Sequence, residues 1–452
     1  MTRRPLLACL LAASCTAGGG PAAGTWPDGG LLTCAQPPCT FLFAALSLDD
    51  RLEVFSLDDG PAYRGSVDLD LDPNPGGDYG DDRLDEPYET AVLGPDLLVP
   101  IGHYPARDRG SLLWLPLSTL ADHDIGATVP KEAFFDGAAA VGGARLVDAG
   151  AQEAIFVARA GAGAFVTAVE NDLFAPEDTW THPGSVQFVD GGAAGVPRPL
   201  DDLPEGACDA AGEVVVLPGG RLAVACDGNE AVAFYAVDGA TISPVALCDL
   251  PPVSNARVRA VAAAGDFVVV AESPVTASAD PARLWRLDEG CALGDVAEIA
   301  PGAAGTLTDL VAVGDAVLVA GTLGRRGIHP VRTGGEALEA CPPLSGLEDL
   351  FTGADGRDLE PVALAATADG GRLVVGTGPF LPAPDDPGYG KLALVDLAPG
   401  ACGPEVVAVS DLTDGATGHA PAVAAGAGET YRRMPGPLTI HRVRAEDLAP
   451  LD

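Results

Sequence analysis

Basic residues are scarce in this chain of 452 residues, which has 26 lysines and arginines against 64 acidic residues and a formal net charge of −38. A surface with this charge repels the phosphates of DNA and RNA, so nucleic-acid binding is not expected. The same charge attracts cations and keeps a protein soluble, and solvation alone is a sufficient reason for it.

Catalytic and metal-binding motifs are also missing. The chain has no G-x-S-x-G sequence, and no glycine-rich loop precedes a helix pattern. It has no C-x-x-C pair, which argues against zinc. The six histidines are scattered, and only His329 and His441 are expected at matching places of the repeat described below. These absences favour a protein that is not an enzyme.

Long apolar runs are absent beyond the N-terminus, so the sequence predicts no transmembrane helix. Arg3 and Arg4 precede an apolar run, Leu6–Ala13, that is too short to span a bilayer. This pattern predicts a secretory signal peptide over residues 1–14.

The segment Leu11–Cys15 resembles the lipobox of bacterial lipoproteins, with Ala12 where that family usually has leucine. The resemblance implies that Cys15 is lipidated and that Thr16, rather than aspartate, directs the protein to the outer membrane, facing the periplasm or the cell surface. Residues 15–30 then form a flexible tether. The alternative is an ordinary cleaved signal with a free N-terminus.

Ten cysteines are present, and eight remain if Cys9 leaves with the signal and Cys15 carries lipid. An even number in an exported protein predicts disulfides. Cys34 and Cys39 close a short loop, and Cys208 and Cys226 lie at adjacent ends of a hairpin, so each couple is predicted to pair. The other four lie near the outermost strands of successive repeats, and their pairing stays open: Cys248, Cys291, Cys341 and Cys402.

A unit of short apolar strands recurs along the chain, most clearly as Glu213–Leu217, Arg221–Cys226 and Ala231–Val237. The third strand has a signature, an apolar or aromatic residue, a spacer and then leucine or valine. Copies of this signature begin at Phe55, Leu115, Thr167, Tyr235, Trp285, His329 and Val395. The runs predicted as second strands are Phe41–Ser47, Leu97–Ile101, Ala154–Ala158, Arg221–Cys226, Phe267–Ala271, Ala316–Ala320 and Arg372–Gly376.

These copies recur at roughly 45–65 residues, as propeller blades do. Runs such as Val268–Val270 are apolar without alternation, which is typical of strands covered on both faces. We therefore predict an all-β fold over residues 31–450, a seven-bladed β-propeller with four-stranded antiparallel blades. The C-terminal run Leu438–Val443 is predicted to complete the first blade and close the ring; the alternative is an eighth blade. The repeat rhythm is similar to that of YVTN-type and lactonase-like propellers.

One acidic stretch has the spacing of a calcium loop, with Pro75 at the place where such loops need glycine. The predicted calcium ligands are Asp70, Asp72, Asn74, Gly76, Asp78 and Asp81. The alternative is a solvated acidic loop.

Three functions are compatible with these patterns. The first is a non-catalytic, monomeric envelope lipoprotein that binds a protein or small ligand through loops on a stiff scaffold. The loops predicted to bind are Asp68–Tyr88, Pro105–Gly110, Leu173–Pro199 and Phe380–Gly390. The second is a lactonase-like hydrolase with a divalent ion in the central channel. It requires acids or histidines at equivalent inner-strand positions, and those strands begin mostly with valine, leucine and alanine. The third is a scaffold for outer-membrane assembly.

Overall fold

The structure is a computed structural model of the chain. It describes residues 30–34, 38–46, 51–58, 62–71, 84–104, 111–136, 139–148, 153–160, 163–169, 185–190, 198–204, 206–239, 241–251, 256–274, 278–335, 337–353, 356, 358–378, 391–412 and 438–443.

Seven blades follow one another along the chain, and we number them 1 to 7. Blades 2 and 3 are joined into one nine-stranded sheet by the pairing of Glu153 with Gly102. Blade 1 begins with β1 (Cys39–Leu46), β2 (Arg51–Ser56) and β3 (Ala62–Asp68). Blade 2 contains β4 (Leu84–Pro87), β5 (Ala91–Leu93), β6 (Asp96–Tyr104) and β7 (Ser111–Pro116). Helix α1 (Leu117–Ala121), β8 (Thr128–Val129), β9 (Phe135–Asp136) and β10 (Ala139–Ala140) precede its outer strand, β11 (Arg145–Asp148).

The remaining blades each have four strands in chain order, from the innermost to the outermost. Blade 3 has β12 (Glu153–Ala160), β13 (Gly163–Val169), β14 (Ser185–Asp190) and β15 (Arg198–Pro199). Blade 4 has β16 (Ala211–Leu217), β17 (Arg221–Cys226), β18 (Ala231–Asp238) and β19 (Thr241–Asp249). Blade 5 has β20 (Ala256–Ala264), β21 (Phe267–Pro274), β22 (Arg283–Leu287) and β23 (Leu293–Glu298).

Blade 6 has β24 (Leu307–Val313), β25 (Ala316–Gly321), β26 (Gly327–Arg332) and β27 (Glu339–Ala340). Blade 7 has β28 (Glu360–Ala366), β29 (Arg372–Gly378), β30 (Lys391–Pro399) and β31 (Pro404–Asp411). Short 3₁₀ helices cover Lys131–Ala133, Leu200–Asp202, Leu323–Arg325 and Glu348–Phe351.

The last strand, β32 (Leu438–Val443), closes the ring. It pairs antiparallel with β1 and supplies the inner strand that blade 1 otherwise lacks. Blade 7 also contacts blade 1, because the Arg372 guanidinium donates a 2.6 Å hydrogen bond to the Leu57 carbonyl. The predicted all-β, seven-bladed propeller and its terminal closure are confirmed.

The hydrophobic core of the described residues is divided into seven layers, each between two neighbouring blades. Strand β21 shows the principle. Val268 and Val270 pack toward blade 4, whereas Val269 and Ala271 pack toward blade 6. Successive side chains of a strand point to opposite faces, so a strand covered on both faces is apolar at every position.

The sequence interpretation of blade 3 is wrong by one strand. Ala154–Ala158 lies in the innermost strand, β12, and Thr167 lies in the second strand, β13. Two apolar strands joined by a tight turn look alike whether they are the first and second or the second and third of a blade. The third and fourth strands, β14 and β15, lie inside the segment predicted as the loop Leu173–Pro199.

His329 and His441 do not occupy matching places. His329 lies in β26, the third strand of blade 6, whereas His441 lies in β32, the inner strand of blade 1. Both segments read as short apolar strands with a histidine near the middle, and the sequence pattern alone does not distinguish their places within a blade.

Four disulfides connect the eight cysteines of the body. The structure contains both predicted pairs, Cys34–Cys39 and Cys208–Cys226. The pairs left open are Cys248–Cys291, which joins the outer parts of blades 4 and 5, and Cys341–Cys402, which does so for blades 6 and 7. Such bonds indicate an oxidising, exported compartment. In the described part of the chain, no helix is long and apolar enough to cross a membrane.

The Cys248–Cys291 disulfide is expected to stabilise the ring far more than Cys34–Cys39, because it closes a loop of 43 residues rather than 5. The chain-entropy relation gives a difference of about 2 kcal/mol in the free energy of unfolding. Urea unfolding of two double variants, Cys248→Ala with Cys291→Ala and Cys34→Ala with Cys39→Ala, measures it. Equal losses from the two variants would contradict the expectation.

Candidate functional site

The inner strands of blades 2, 4 and 6 place an acid at the same structural position. Val214 of β16 and Leu310 of β24 each lie opposite the fourth residue of the neighbouring second strand. The residues before them are Glu213 and Asp309. In blade 2 the register of β5 and β6 puts Glu89 at the corresponding place.

The inner strand of blade 2 has one extra residue at this place, as the inner strands of blades 3 to 7 do, and its partner strand also contains a proline. Pro100 has no N–H group to donate, so the ladder between β6 and its neighbour breaks. Strands β4 and β5 flank the break, and the Tyr88 amide donates a 3.0 Å hydrogen bond to the Pro100 carbonyl. Glu89 lies in this interruption.

Each acid accepts a backbone hydrogen bond from the inner strand of the following blade. The Val157 amide donates to Glu89 Oε2 at 3.2 Å and the Val261 amide to Glu213 Oε2 at 2.7 Å. The Leu364 amide donates to Asp309 Oδ2 at 2.6 Å. All three donors lie opposite the fourth residue of their own second strand. One geometry therefore joins blades 2 and 3, blades 4 and 5, and blades 6 and 7.

The intervening blades have uncharged residues where the acids would lie. The residues before the three donors are Phe156, Ala260 and Ala363. The acids therefore alternate around the ring, and we call Glu89, Glu213 and Asp309 the channel acids. Strand β20 also contains Arg259, one residue before Ala260.

Burial raises the pKa of all three channel acids. The pKa of Glu89 rises from 4.5 to about 8 through loss of solvation, opposed by the Val157 hydrogen bond and reinforced by the charge of Asp309. Loss of solvation and the charges of Asp309 and Glu89 raise the pKa of Glu213 well above 4.5. Loss of solvation raises the pKa of Asp309 from 3.8 to about 6, opposed by two backbone hydrogen bonds. The three carboxyl groups therefore repel one another when ionised.

The channel acids lie deep in the ring but keep part of their surface accessible. Asp309 uses both oxygens, because Oδ1 accepts from the Leu310 amide at 2.7 Å. Within the described residues no donor reaches Oε1 of Glu89 or of Glu213, and each oxygen can accept one from a ligand.

Metal chelation is not built into this arrangement. No three His, Cys, Asp or Glu side chains of the described residues are grouped closely enough to hold a metal ion. Of the predicted calcium ligands, Asp70 forms an ion pair with Lys131 at 3.5 Å. The other five, from Asp72 to Asp81, lie outside the described residues, and calcium binding there stays a prediction. Cys15 and the predicted loops 105–110 and 380–390 also lie outside them.

The channel acids were not predicted, because the inner strands do begin mostly with alanine and leucine, and Glu213 and Asp309 are the third residues of β16 and β24. The conclusion that equivalent inner-strand positions carry no acids is wrong for blades 2, 4 and 6. Glu213 and Asp309 each precede an apolar run that ends in a glycine turn, and this shared spacing was a usable signal. Glu89 has the same spacing, four residues before the last apolar residue ahead of its turn, and the pairing of β5 with β6 confirms the alignment.

No protein-family model and no curated protein matches this chain. Several solved structures are similar to it. The β-propeller domain of Myceliophteria thermophila Cps50 (Swd1) has 13% identity over 80% of this chain and 94% of that chain, with a TM-score of 0.45. Apo AztD from Citrobacter koseri has 10% identity over 90% of this chain and 98% of that chain, with a TM-score of 0.44. Likeness this low carries no argument about function.

Replacing Glu89 by glutamine should change how stability depends on pH. Between pH 4.5 and about 8 the unfolded Glu89 is ionised while the folded one keeps its proton, so its contribution to stability falls as pH rises. Glutamine keeps the acceptor oxygen without the charge. We expect the advantage of Glu89→Gln over the wild type in free energy of unfolding to be larger at pH 8 than at pH 5 by at least ~1 kcal/mol, since one pKa unit corresponds to about 1.4 kcal/mol.

Urea unfolding at pH 5 and pH 8 measures this difference. Asp295→Asn on the exposed outer strand β23 removes the same charge away from the channel and serves as the control. A gain in Glu89→Gln that is equal at the two pH values would contradict the expected role of the buried carboxyl group.

Proposed function

We propose that this protein is an exported, non-catalytic binding scaffold that holds a cationic group of a basic ligand against the channel acids. The observation that carries the proposal is the convergence of three carboxyl groups from equivalent positions on alternate blades. Placing ionisable groups where burial and mutual repulsion disfavour their charge costs stability, and such arrangements are typical of functional sites.

A basic organic group suits these acids better than a metal ion does. The acids are spread around the ring rather than grouped for chelation. The free oxygens of Glu89 and Glu213 can accept hydrogen bonds from an ammonium or a guanidinium, both of which carry several donors. A positive charge between the acids would also relieve their repulsion and lower their pKa values.

The charge of the whole molecule supports the same class of ligand. A net charge of −38 draws basic molecules toward the protein and speeds their association. The lipid on Cys15 and the outer-membrane anchor belong to this proposal as expectations from the sequence. A lipid anchor would hold the scaffold at a membrane without placing the ring in it.

A lactonase-like hydrolase is the second candidate. This activity requires acids at equivalent inner-strand positions, and the channel acids meet that requirement. A pKa of about 8 would leave Glu89 protonated at neutral pH, as a general acid needs. Turnover of a lactone, measured with and without a chelator, tests this candidate. Absence of turnover in both conditions would exclude the lactonase and leave the binding scaffold as the proposed function.

Binding of a pentalysine peptide tests the channel site. We expect Glu213→Gln to weaken binding about tenfold, because loss of one ionised partner of a buried charge pair costs at least ~1.4 kcal/mol. Isothermal titration calorimetry at about 0.15 M salt measures it, since long-range attraction is then largely screened.

Asp295→Asn is the matched control, because it removes one negative charge from the outer rim. It should leave the dissociation constant close to that of the wild type. If Asp295→Asn weakens binding as much as Glu213→Gln does, the peptide is held by overall charge and the channel site is wrong.

A further inference from the structure

The outer strands of the blades are the free edges of this ring, and six of the seven are protected. An exposed edge offers unpaired N–H and C=O groups to other chains, and proteins usually shorten, charge, interrupt or cover it. Strands β15 and β27 have two residues each, and β11 has four. Strand β8 covers the edge of β3, Pro244 interrupts β19, and β23 carries Asp295 and Glu298.

In the part of the chain that the structure describes, strand β31 of blade 7 is the outer strand with the longest unprotected stretch. It is eight residues long and the last strand of its sheet, and its proline and charges, Pro404, Glu405 and Asp411, lie at its two ends. Between them Val406–Ser410 contains no charge, proline or glycine, with one bulge at Val407. Val407 is 66% exposed and Val409 is 38% exposed, and Val407 is the most exposed large apolar side chain of the described residues. Apolar surface on an unprotected edge is typical of a docking strand.

The strand is held in position before any partner arrives. It pairs with β30 from Pro399 opposite Pro404 to Ala393 opposite Asp411. The disulfide at Cys402 fixes the turn that leads into it. A partner would therefore meet a formed edge, and little ordering of β31 would oppose binding.

We propose that β31 is an acceptor edge for an extended, basic segment of a partner protein. The segment would add a fifth strand to blade 7, with β-branched residues against Val407 and Val409 and a basic residue near Glu405. The charge of the molecule favours a basic segment over a second copy, because two chains of −38 repel each other. This edge is separate from the channel acids, so neither proposal depends on the other.

The probe is the peptide acetyl-Lys-Val-Thr-Val-Thr-Val-Lys-amide with a fluorescent label, and binding is followed by anisotropy. Val407→Lys should weaken binding roughly tenfold, since it places a charge on the edge and repels the peptide. Val296→Lys on β23 is the control, because Val296 is also an exposed valine of an outer strand, 38% exposed, and its replacement gives the same change in charge. It should bind as the wild type does.

Hydrogen exchange locates the peptide. Amides of residues 404–411 should exchange more slowly with peptide bound, whereas those of β23 should not change. The proposal is overturned if the peptide does not bind, if Val407→Lys and Val296→Lys lose affinity equally, or if protection falls elsewhere. It is also overturned if sedimentation shows a dimer of the free protein that Val407→Lys dissociates, because the occupant is then a second copy.

Discussion

The structure depends on apolar contact between the faces of neighbouring blades. Each blade is too thin to have a core of its own, so it buries its strands only when a blade lies on either side. This constraint demands apolar residues at every position of the central strands, as in β21, and requires the ring to close. It also leaves the centre of the ring to be lined by the inner strands, where the channel acids lie.

The channel acids and the disulfides together divide the ring into pairs of blades. Glu213 and the Cys248–Cys291 disulfide both join blades 4 and 5, one near the axis and the other at the rim. Asp309 and the Cys341–Cys402 disulfide do the same for blades 6 and 7. Glu89 joins blades 2 and 3 without a disulfide. In the described residues, blade 1 has no channel acid that joins it to a neighbouring blade. It is the blade in which β32 pairs with β1 and closes the ring.

The fold could be predicted from the sequence because it follows from a pattern that repeats. Each part of the pattern has a local signal in the sequence: the apolar strands buried on both faces, the glycine turns between them and the C-terminal apolar run Leu438–Val443. The place of a strand within its blade could not be predicted in blade 3, because a hairpin of two apolar strands has the same pattern at either place. The channel acids share one spacing, since each lies four residues before the last apolar residue ahead of a turn. The spacing does not show that these positions face one another, because this depends on the closing of the ring.

The way the ring closes determines how it would respond to a pulling force. Strand β32 is held to β1 by backbone hydrogen bonds, whereas blades 4 and 5 and blades 6 and 7 are joined covalently. A load applied between the two ends of the chain would therefore peel β32 away first and open the circle at blade 1. The two disulfide-linked pairs of blades would stay joined. The strand β32 would pair with β1 again once the load is released.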